Sequence, residues 1–357
     1  MAAPALLLLE NEEPLYGRCA GAEGLARGAM VASAFSAGMP DLLTDPAYGG
    51  KMVCFTYPHV GTSGVVPDDL QSPRVAARAV IAREMGQCKA NRLGVEAMDE
   101  WLIRNSIPAM DDADTRTVAG ILARRGLVRA VLGTGEFADL AALEKELAAP
   151  FAPPENPGVT NPGDWTEEAG VPVLRKVLVY DFGVKRGFLR RLGKMGCALK
   201  LVPANHPARD ALADRPDAIV FSSGPGVPDD RPEALPAAKE LLGKIPLWGI
   251  GVGAGLLAAA AGAKTARDGR GHYGVHPVGL AGGPLGEMTT QAHEFQIDEA
   301  SLAGAGLAAT HRNLNDGAVE GFACSKRRVS GVLFNPEGEP GPHDSLHLFD
   351  TFMTDLV

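Results

Sequence analysis

The sequence predicts an α/β protein. A β-rich mixed domain over residues 1–149 precedes a doubly wound, mainly parallel sheet over residues 173–357. Three observations carry this expectation. Strand-like and helix-like patterns alternate through the second half. Short apolar runs punctuated by Gly, Pro and Asp fill the first. Between them, residues 150–172 hold Pro150, Pro153, Pro154, Pro157, Gly158, Pro162, Gly163, Gly170 and Pro172, a density that no helix or central strand accommodates. That stretch reads as an extended linker.

In the first domain, the runs Ala5–Leu9, Leu15–Ala20, Met30–Phe35, Met52–Tyr57 and Arg74–Arg83 read as strands. Val95–Arg104 sets Met98, Trp101 and Leu102 on one helical face. Thr115–Arg125 follows a candidate N-cap, Asp114, with Val118, Ile121 and Leu122 turned inward. Val128–Leu132 reads as a strand and Phe137–Leu147 as an amphipathic helix.

In the second, Lys176–Tyr180 is a compact β-branched run. Val184, Phe188, Leu192 and Met195 then recur at helical spacing. Ala198–Val202, Ala218–Phe221 and Leu247–Ile250 read as strands, Pro207–Ala213 and Glu233–Leu242 as helices, and Leu256–Ala261 opens another helix. Functional loops of such a sheet lie beyond the carboxyl ends of its strands. Here those ends are Asp181–Gly183, Ser222–Gly226 and Gly251–Gly255.

Composition bounds the function. The 357 residues carry 34 basic and 43 acidic side chains, a formal charge of −9, which argues against a general nucleic-acid binder. No apolar run approaches the ~18 residues that span a bilayer. Ala5–Leu9 is too short for a signal-peptide core, lacks a preceding basic residue and runs into Glu10, Glu12 and Glu13. A cytoplasmic protein with no membrane partner is expected. The five cysteines, Cys19, Cys54, Cys88, Cys197 and Cys324, are scattered without zinc or redox spacing and read as reduced, mostly buried thiols. The spacing of His272, His276, His293 and His311 makes no ligand cluster, so no metal site is expected.

The glycine-rich turn Gly249-Ile250-Gly251-Val252-Gly253-Ala254-Gly255 admits two readings. Gly249, Gly251 and Ala254 match a G-x-G-x-x-A dinucleotide fingerprint, but the turn follows the fourth strand of its unit, and Asp268 has no clear strand to deliver it to a ribose. The other reading is a nucleophile elbow, a strand, tight turn and helix whose apex side chain faces the site while the helix N–H groups stabilise an oxyanion. The apex here is Gly251, which reaches positive φ without strain and offers no nucleophile.

Gly17-Arg18, Leu43-Thr44-Asp45-Pro46 with Tyr48, Phe55-Thr56-Tyr57-Pro58-His59 and Asp114-Thr115-Arg116 resemble the N-terminal domain of the carbamoyl-phosphate synthase small subunit. Tyr180-Asp181-Phe182-Gly183 with Lys185-Arg186, Gly224-Pro225-Gly226, Ala261-Gly262-Ala263-Lys264, and Pro336-Glu337 followed by Gly341-Pro342-His343-Asp344 resemble that subunit's class I glutamine amidotransferase domain. The resemblance spans the whole chain. It implies a subunit that supplies ammonia from glutamine to a large synthetase subunit, which makes carbamoyl phosphate for arginine and pyrimidine biosynthesis. ATP and Mg would belong to that large subunit, with no cofactor in this chain.

Active members use a cysteine nucleophile in G-I-C-L-G-H-Q, a histidine base in H-P-E and a glutamate that orients it. This chain has Gly251 at the cysteine and Gly255 at the glutamine-contacting Gln. It reads Asn335-Pro336-Glu337 for H-P-E, so Glu337 alone is retained. The family's N-H-G-F segment reads Ala292-His293-Glu294-Phe295, replacing two substrate contacts, and the family's N-terminal pocket serine aligns with Phe35. Gly224, Gly226, Val252 and Phe295 occupy further glutamine-pocket positions. Losing the nucleophile of a catalytic triad costs on the order of a millionfold in rate. The resemblance therefore implies a small subunit without its own glutaminase, in a complex that takes free ammonia. The alternative is a stand-alone pseudoenzyme that binds another small ligand in the altered pocket.

Overall fold

A computed structural model describes residues 3–151, 165–281, 283 and 286–355. The chain forms two compact units, Met1–Glu155 with Gly269–Gly274, and Asn156–Asp268 with Val275–Val357. Most of the sequence-predicted linker, residues 152–164, lies outside the described residues. Within its described part, Thr166 pairs antiparallel with Leu199 through bonds of 2.7 and 2.8 Å.

Among the described residues up to 151, the first unit holds β1 (Pro4–Leu9), β2 (Leu15–Cys19), β3 (Gly24–Ser33), β4 (Lys51–Phe55), β5 (His59–Val60), β6 (Ala79–Ile81), β7 (Glu84–Met85), β8 (Ala109–Asp111) and β9 (Val128–Thr134). Seven of them close a barrel in the order β1-β2-β8-β6-β4-β3-β9, while β5 and β7 pair separately. The period of two along β1 explains its leucine run. Ala5, Leu7 and Leu9 join Met30, Met52, Cys54, Ile81, Met110 and Leu132 in one core. Leu6 and Leu8 pack on the other face with Val131 and Leu143.

Four helices complete this unit: α1 (Met39–Thr44), α2 (Met98–Arg104), α3 (Thr115–Arg125) and α4 (Leu140–Ala148). Helix α3 has the predicted bounds, and the Thr117 N–H donates to the Asp114 side chain at 3.0 Å. Four expectations need correction. The helix read over Val95–Arg104 starts at Met98. Phe35 lies beyond the end of β3, which begins earlier than the predicted Met30–Phe35 strand. Only Ala79–Ile81 of Arg74–Arg83 is a strand of the barrel. The helix assigned to Phe137–Leu147 starts at Leu140, because Gly135–Phe137 forms a 3₁₀ turn and Asp139 caps the helix through Ala142 N–H at 2.8 Å.

The second unit continues with β10 (Arg175–Asp181), β11 (Cys197–Pro203), β12 (Ala218–Phe221), β13 (Leu247–Ile250), β14 (Thr265–Leu280, apart from its residues 269–274), β15 (Gly286–Ile297), β16 (Ala308–Asn313), β17 (Val319–Cys324) and β18 (Val329–Val332). The sheet order is β11-β10-β12-β13-β18-β17-β15-β14-β16. Pairing is parallel from β11 through β18 and antiparallel where β17 joins β18. The helices are α5 (Arg186–Lys194), α6 (Ala208–Ala213), α7 (Leu235–Leu241), α8 (Val252–Ala261), α9 (Glu299–Gly304) and α10 (His347–Asp355).

Both faces of the parallel segment are covered, so its strands are apolar throughout. Val177 and Val179 pack with Phe188, Leu192, Trp248 and Phe349. Leu178 and Tyr180 pack on the opposite side with Ala208, Ala238, Leu257 and Phe295. Helix α8 begins at Val252, so Leu256–Ala261 is its second half rather than its opening. Among the described residues, no helix is long and apolar enough to cross a membrane.

Candidate functional site

The turn between β13 and α8 has the geometry of an elbow. Gly251 adopts φ 54° and ψ −123°, a conformation that glycine enters without the penalty a Cβ brings. Its N–H donates to Val332 O at 2.9 Å, and Gly253 N–H donates to Ser222 O at 3.1 Å. The turn is thereby pinned between β18 and the end of β12. A Cβ on Gly251 would meet Ser223 Cβ at 3.3 Å and Leu333 O at 3.8 Å. The position is closely walled and carries no reactive atom.

The loop after β12 brings Gly224 and Gly226 to this turn. Gly224 lies against Phe182 O, where an added Cβ would come within 2.1 Å, and Gly226 has φ 86°. Val252 is the first residue of α8 and is buried. One turn on, the space beside Gly255 is filled: an added Cβ would meet Pro228 Cγ at 2.4 Å and Phe295 Cε2 at 2.6 Å. Gly251 thus lies against Ser223, and Gly255 against Pro228 and Phe295.

Asn335 follows β18 and is buried, its N–H donating to Thr290 O at 2.8 Å. An amide nitrogen has no basicity with which to take a proton from a nucleophile. Glu337, two residues on, is engaged by Lys185, whose Nζ stands 2.6 Å from Glu337 Oε1 and also donates to Glu339 O. Asp181, at the end of β10, accepts from Gly183 N–H and Val184 N–H at 2.8 Å each and shapes the loop that delivers Lys185. Burial raises the Asp181 carboxyl above the usual carboxylate range, opposed by those two hydrogen bonds.

Strand β15 carries Ala292, Glu294 and Phe295. Ala292 is half-buried. Glu294 is buried and accepts from Arg267 Nη1 at 2.5 Å, and Arg267 Nη2 reaches Asp230 Oδ2 at 3.1 Å. His293 stands between Gln291 Oε1 at 3.2 Å and Phe295 O at 3.0 Å, with Glu320 Oε2 at 3.3 Å. Phe35 belongs to the first unit, where its N–H donates to Ser33 Oγ at 3.4 Å.

The second unit's two cysteines lie elsewhere: Cys197 begins β11 and Cys324 ends β17. Burial pushes the Cys197 thiol up to about 11, the opposite of what a nucleophile needs. The expectation of mostly buried thiols holds for Cys54 and Cys197. Cys19 and Cys324 are half-buried, and Cys88 is exposed in a surface segment.

Sequence reasoning missed Lys185, Arg267 and Asp230. Lys185 was visible only as part of the Lys185-Arg186 motif, with nothing local to show that it is wholly buried against Glu337.

Comparison with known proteins agrees with both halves of this architecture. The family model "Glutamine amidotransferase class-I" matches residues 178–354, and "Carbamoyl-phosphate synthase small chain, CPSase domain" matches residues 7–132. A carbamoyl phosphate synthase small chain of Pectobacterium atrosepticum is 38% identical over 100% of this chain and 98% of its own length. That of Yersinia pseudotuberculosis is 38% identical over 99% of this chain and 95% of its own, and that of Escherichia coli K12 is 37% identical over 99% and 97%. With both family domains matched in order and the likeness running end to end, the chain belongs to the carbamoyl phosphate synthase small chain family.

Proposed function

We propose that this chain is the small subunit of a cytoplasmic carbamoyl-phosphate synthase, that its own glutaminase is inactive, and that the complex makes carbamoyl phosphate from free ammonia. ATP and Mg are then used by the large subunit, and the product serves arginine and pyrimidine biosynthesis. The single observation that supports the loss of glutaminase is Gly251 at the apex of an otherwise intact elbow. Acyl transfer through this turn needs a side-chain nucleophile there, and glycine has none. Asn335 cannot act as the base, and Glu337 is held by Lys185, so the remaining positions do not compensate. The first unit, with its own closed barrel and core, argues for a retained docking role, since amidotransferase chemistry alone does not require it.

The test is co-expression and co-purification with the large subunit, followed by synthetase assays with glutamine or ammonium. The expected result is a stable complex that turns over with ammonium and not with glutamine. Glutamine-driven turnover would refute the inactive glutaminase. Failure to form any complex would favour a stand-alone binding module.

A further inference from the structure

Strand β3 has one edge that is only partly covered. On one side it pairs with β9 from Gly24 to Met30 in unbroken register. On the other, the β4 ladder begins only at Ala29, whose N–H donates to Gly50 O at 3.2 Å. Successive residues of a strand turn their N–H and C=O groups to opposite edges. Leu25 and Arg27, in phase with Ala29, therefore present theirs on the β4 side before β4 has started. Among the described residues, no backbone group pairs with these four. Both residues line a cleft of about 600 Å³ whose other walls include residues 75–78 and 106–108.

Each end of the open stretch carries a charge. Arg78 N–H donates to Lys51 O at 2.7 Å, and Lys51 is the register partner of Ala29, so Arg78 stands at that end. Glu23 adjoins Gly24 at the other, with its carboxylate beside Gly135. Both side chains are exposed, both residues line the cleft, and neither has an ion-pair partner among the described residues. The Arg27 guanidinium, by contrast, is engaged. It donates to Glu146 Oε2 at 3.0 Å and to Ala149 O at 3.2 Å, and lies 4.5 Å over the Phe151 ring.

We propose that this edge takes up an extended peptide segment of a partner protein, which adds a strand to β3 and carries an acidic side chain for Arg78 and a basic one for Glu23. Backbone donors and acceptors left open at every second residue are answered by another strand, whose own groups repeat with the same period. Gly24 and Gly28 lie four residues apart, about 13 Å along an extended chain. The acid and the base of the added segment are therefore also four residues apart, which sets both on one of its faces. The inference concerns the first unit alone and does not rest on the loss of glutaminase.

The test uses the purified full chain and two end-blocked heptapeptides, Thr-Glu-Val-Thr-Val-Lys-Thr and its reversal, one for each direction of the added strand. Binding is read by calorimetry, and the Leu25 and Arg27 amides by residue-resolved hydrogen exchange. The better peptide is expected to bind with a Kd below about 1 mM. At about ten times its Kd it should slow exchange of both amides about tenfold. The doubly basic Thr-Lys-Val-Thr-Val-Lys-Thr should bind wild type about threefold more weakly, and Arg78→Glu should invert that order. Leu25→Pro removes an edge donor where no ladder bond is lost, and should weaken binding by about three- to tenfold. Where Leu25→Pro does not fold, as judged by far-UV circular dichroism, Arg78→Glu carries the test. Absence of saturable binding by either peptide would overturn the proposal, as would binding that leaves the two amides unprotected. A folded Leu25→Pro protein that binds as wild type does, or an Arg78→Glu protein with unchanged preference, would overturn it equally.

Discussion

Lys185 Nζ lies 2.6 Å from Glu337 Oε1, with the two side chains 1% and 2% exposed. The lysine sits just before α5 and the glutamate in the turn after β18, so the pair joins the end of β10 to the segment carrying Asn335. The resemblance to active amidotransferases casts Glu337 as an orienting carboxylate. That resemblance sets Asn335 at the position of the imidazole it would orient, and in the folded chain Glu337 is engaged by Lys185.

That pairing is measurable. Removing one of two buried, paired charges leaves the other without its counter-charge in a poorly solvated site. Lys185→Met or Glu337→Gln alone should lower the unfolding free energy by about 3–5 kcal/mol in denaturant titrations. The Lys185→Met/Glu337→Gln double variant should lose clearly less than the two single losses added together. Single variants within about 1 kcal/mol of wild type would show that the pair does not bear on stability.

Gly251→Cys tests the elbow directly. The φ of 54° is strained for any residue with a Cβ, and the added atom would press on Ser223 at 3.3 Å, so a loss of about 1–3 kcal/mol is expected. The thiol would sit at the N-terminus of α8, where the helix dipole favours thiolate, and should alkylate readily. Glutamine hydrolysis should stay at background, because Asn335 cannot accept the proton. Measurable glutaminase in the single variant would contradict that reading of Asn335.

The sequence displayed the parallel sheet well and the barrel poorly, for one physical reason. Ala218–Phe221 and Leu247–Ile250 match β12 and β13 residue for residue, because a buried parallel strand is a short apolar run between turn residues. Barrel closure depends on non-local partners, such as Leu7 with Leu132, and nothing near Leu7 announces them. Helix α1 could have been found from Pro40 at its first turn. The early start of α8 was hidden by Gly253 and Gly255, poor helix formers that close packing against Phe221 O and Phe295 requires here. That Gly251 offers no side-chain nucleophile needed no structure to be seen. The ion pairs of Lys185 and Arg267 did, since burial and partner choice are properties of the folded chain.

The cysteines give a check on the packing of both units. Burial alone pushes the Cys54 thiol up to about 12, and burial also dominates at Cys197. A thiol-specific reagent should therefore label Cys88 first in the native protein, with Cys19 and Cys324 slower and Cys54 and Cys197 silent until denaturant is added. Peptide mapping of a timed reaction identifies the order. Labelling of Cys54 as fast as Cys88 would mean that the barrel core is open.

His311 should make stability depend on pH. It lies on β16, 6% exposed, with Nδ1 2.8 Å from Thr310 Oγ1 and with no hydrogen-bond partner for Nε2 among the described residues. Burial holds its pKa below the ordinary histidine value, aided by the His347 charge and opposed by Glu287 and Glu320. A base depressed in the folded state takes its proton first when unfolded. Its contribution is thus complete above about pH 6.5 and is lost as the pH falls from there towards the lower folded value, with no further change beneath it. His311→Gln removes this group, so the stability gap between wild type and variant should narrow as the pH is lowered from about 7 to about 5. Denaturant melts at several pH values measure that gap, and taking the difference cancels the other histidines. A gap that stays constant or widens on acidification would show that the folded protein accommodates the His311 imidazolium, contrary to its buried setting.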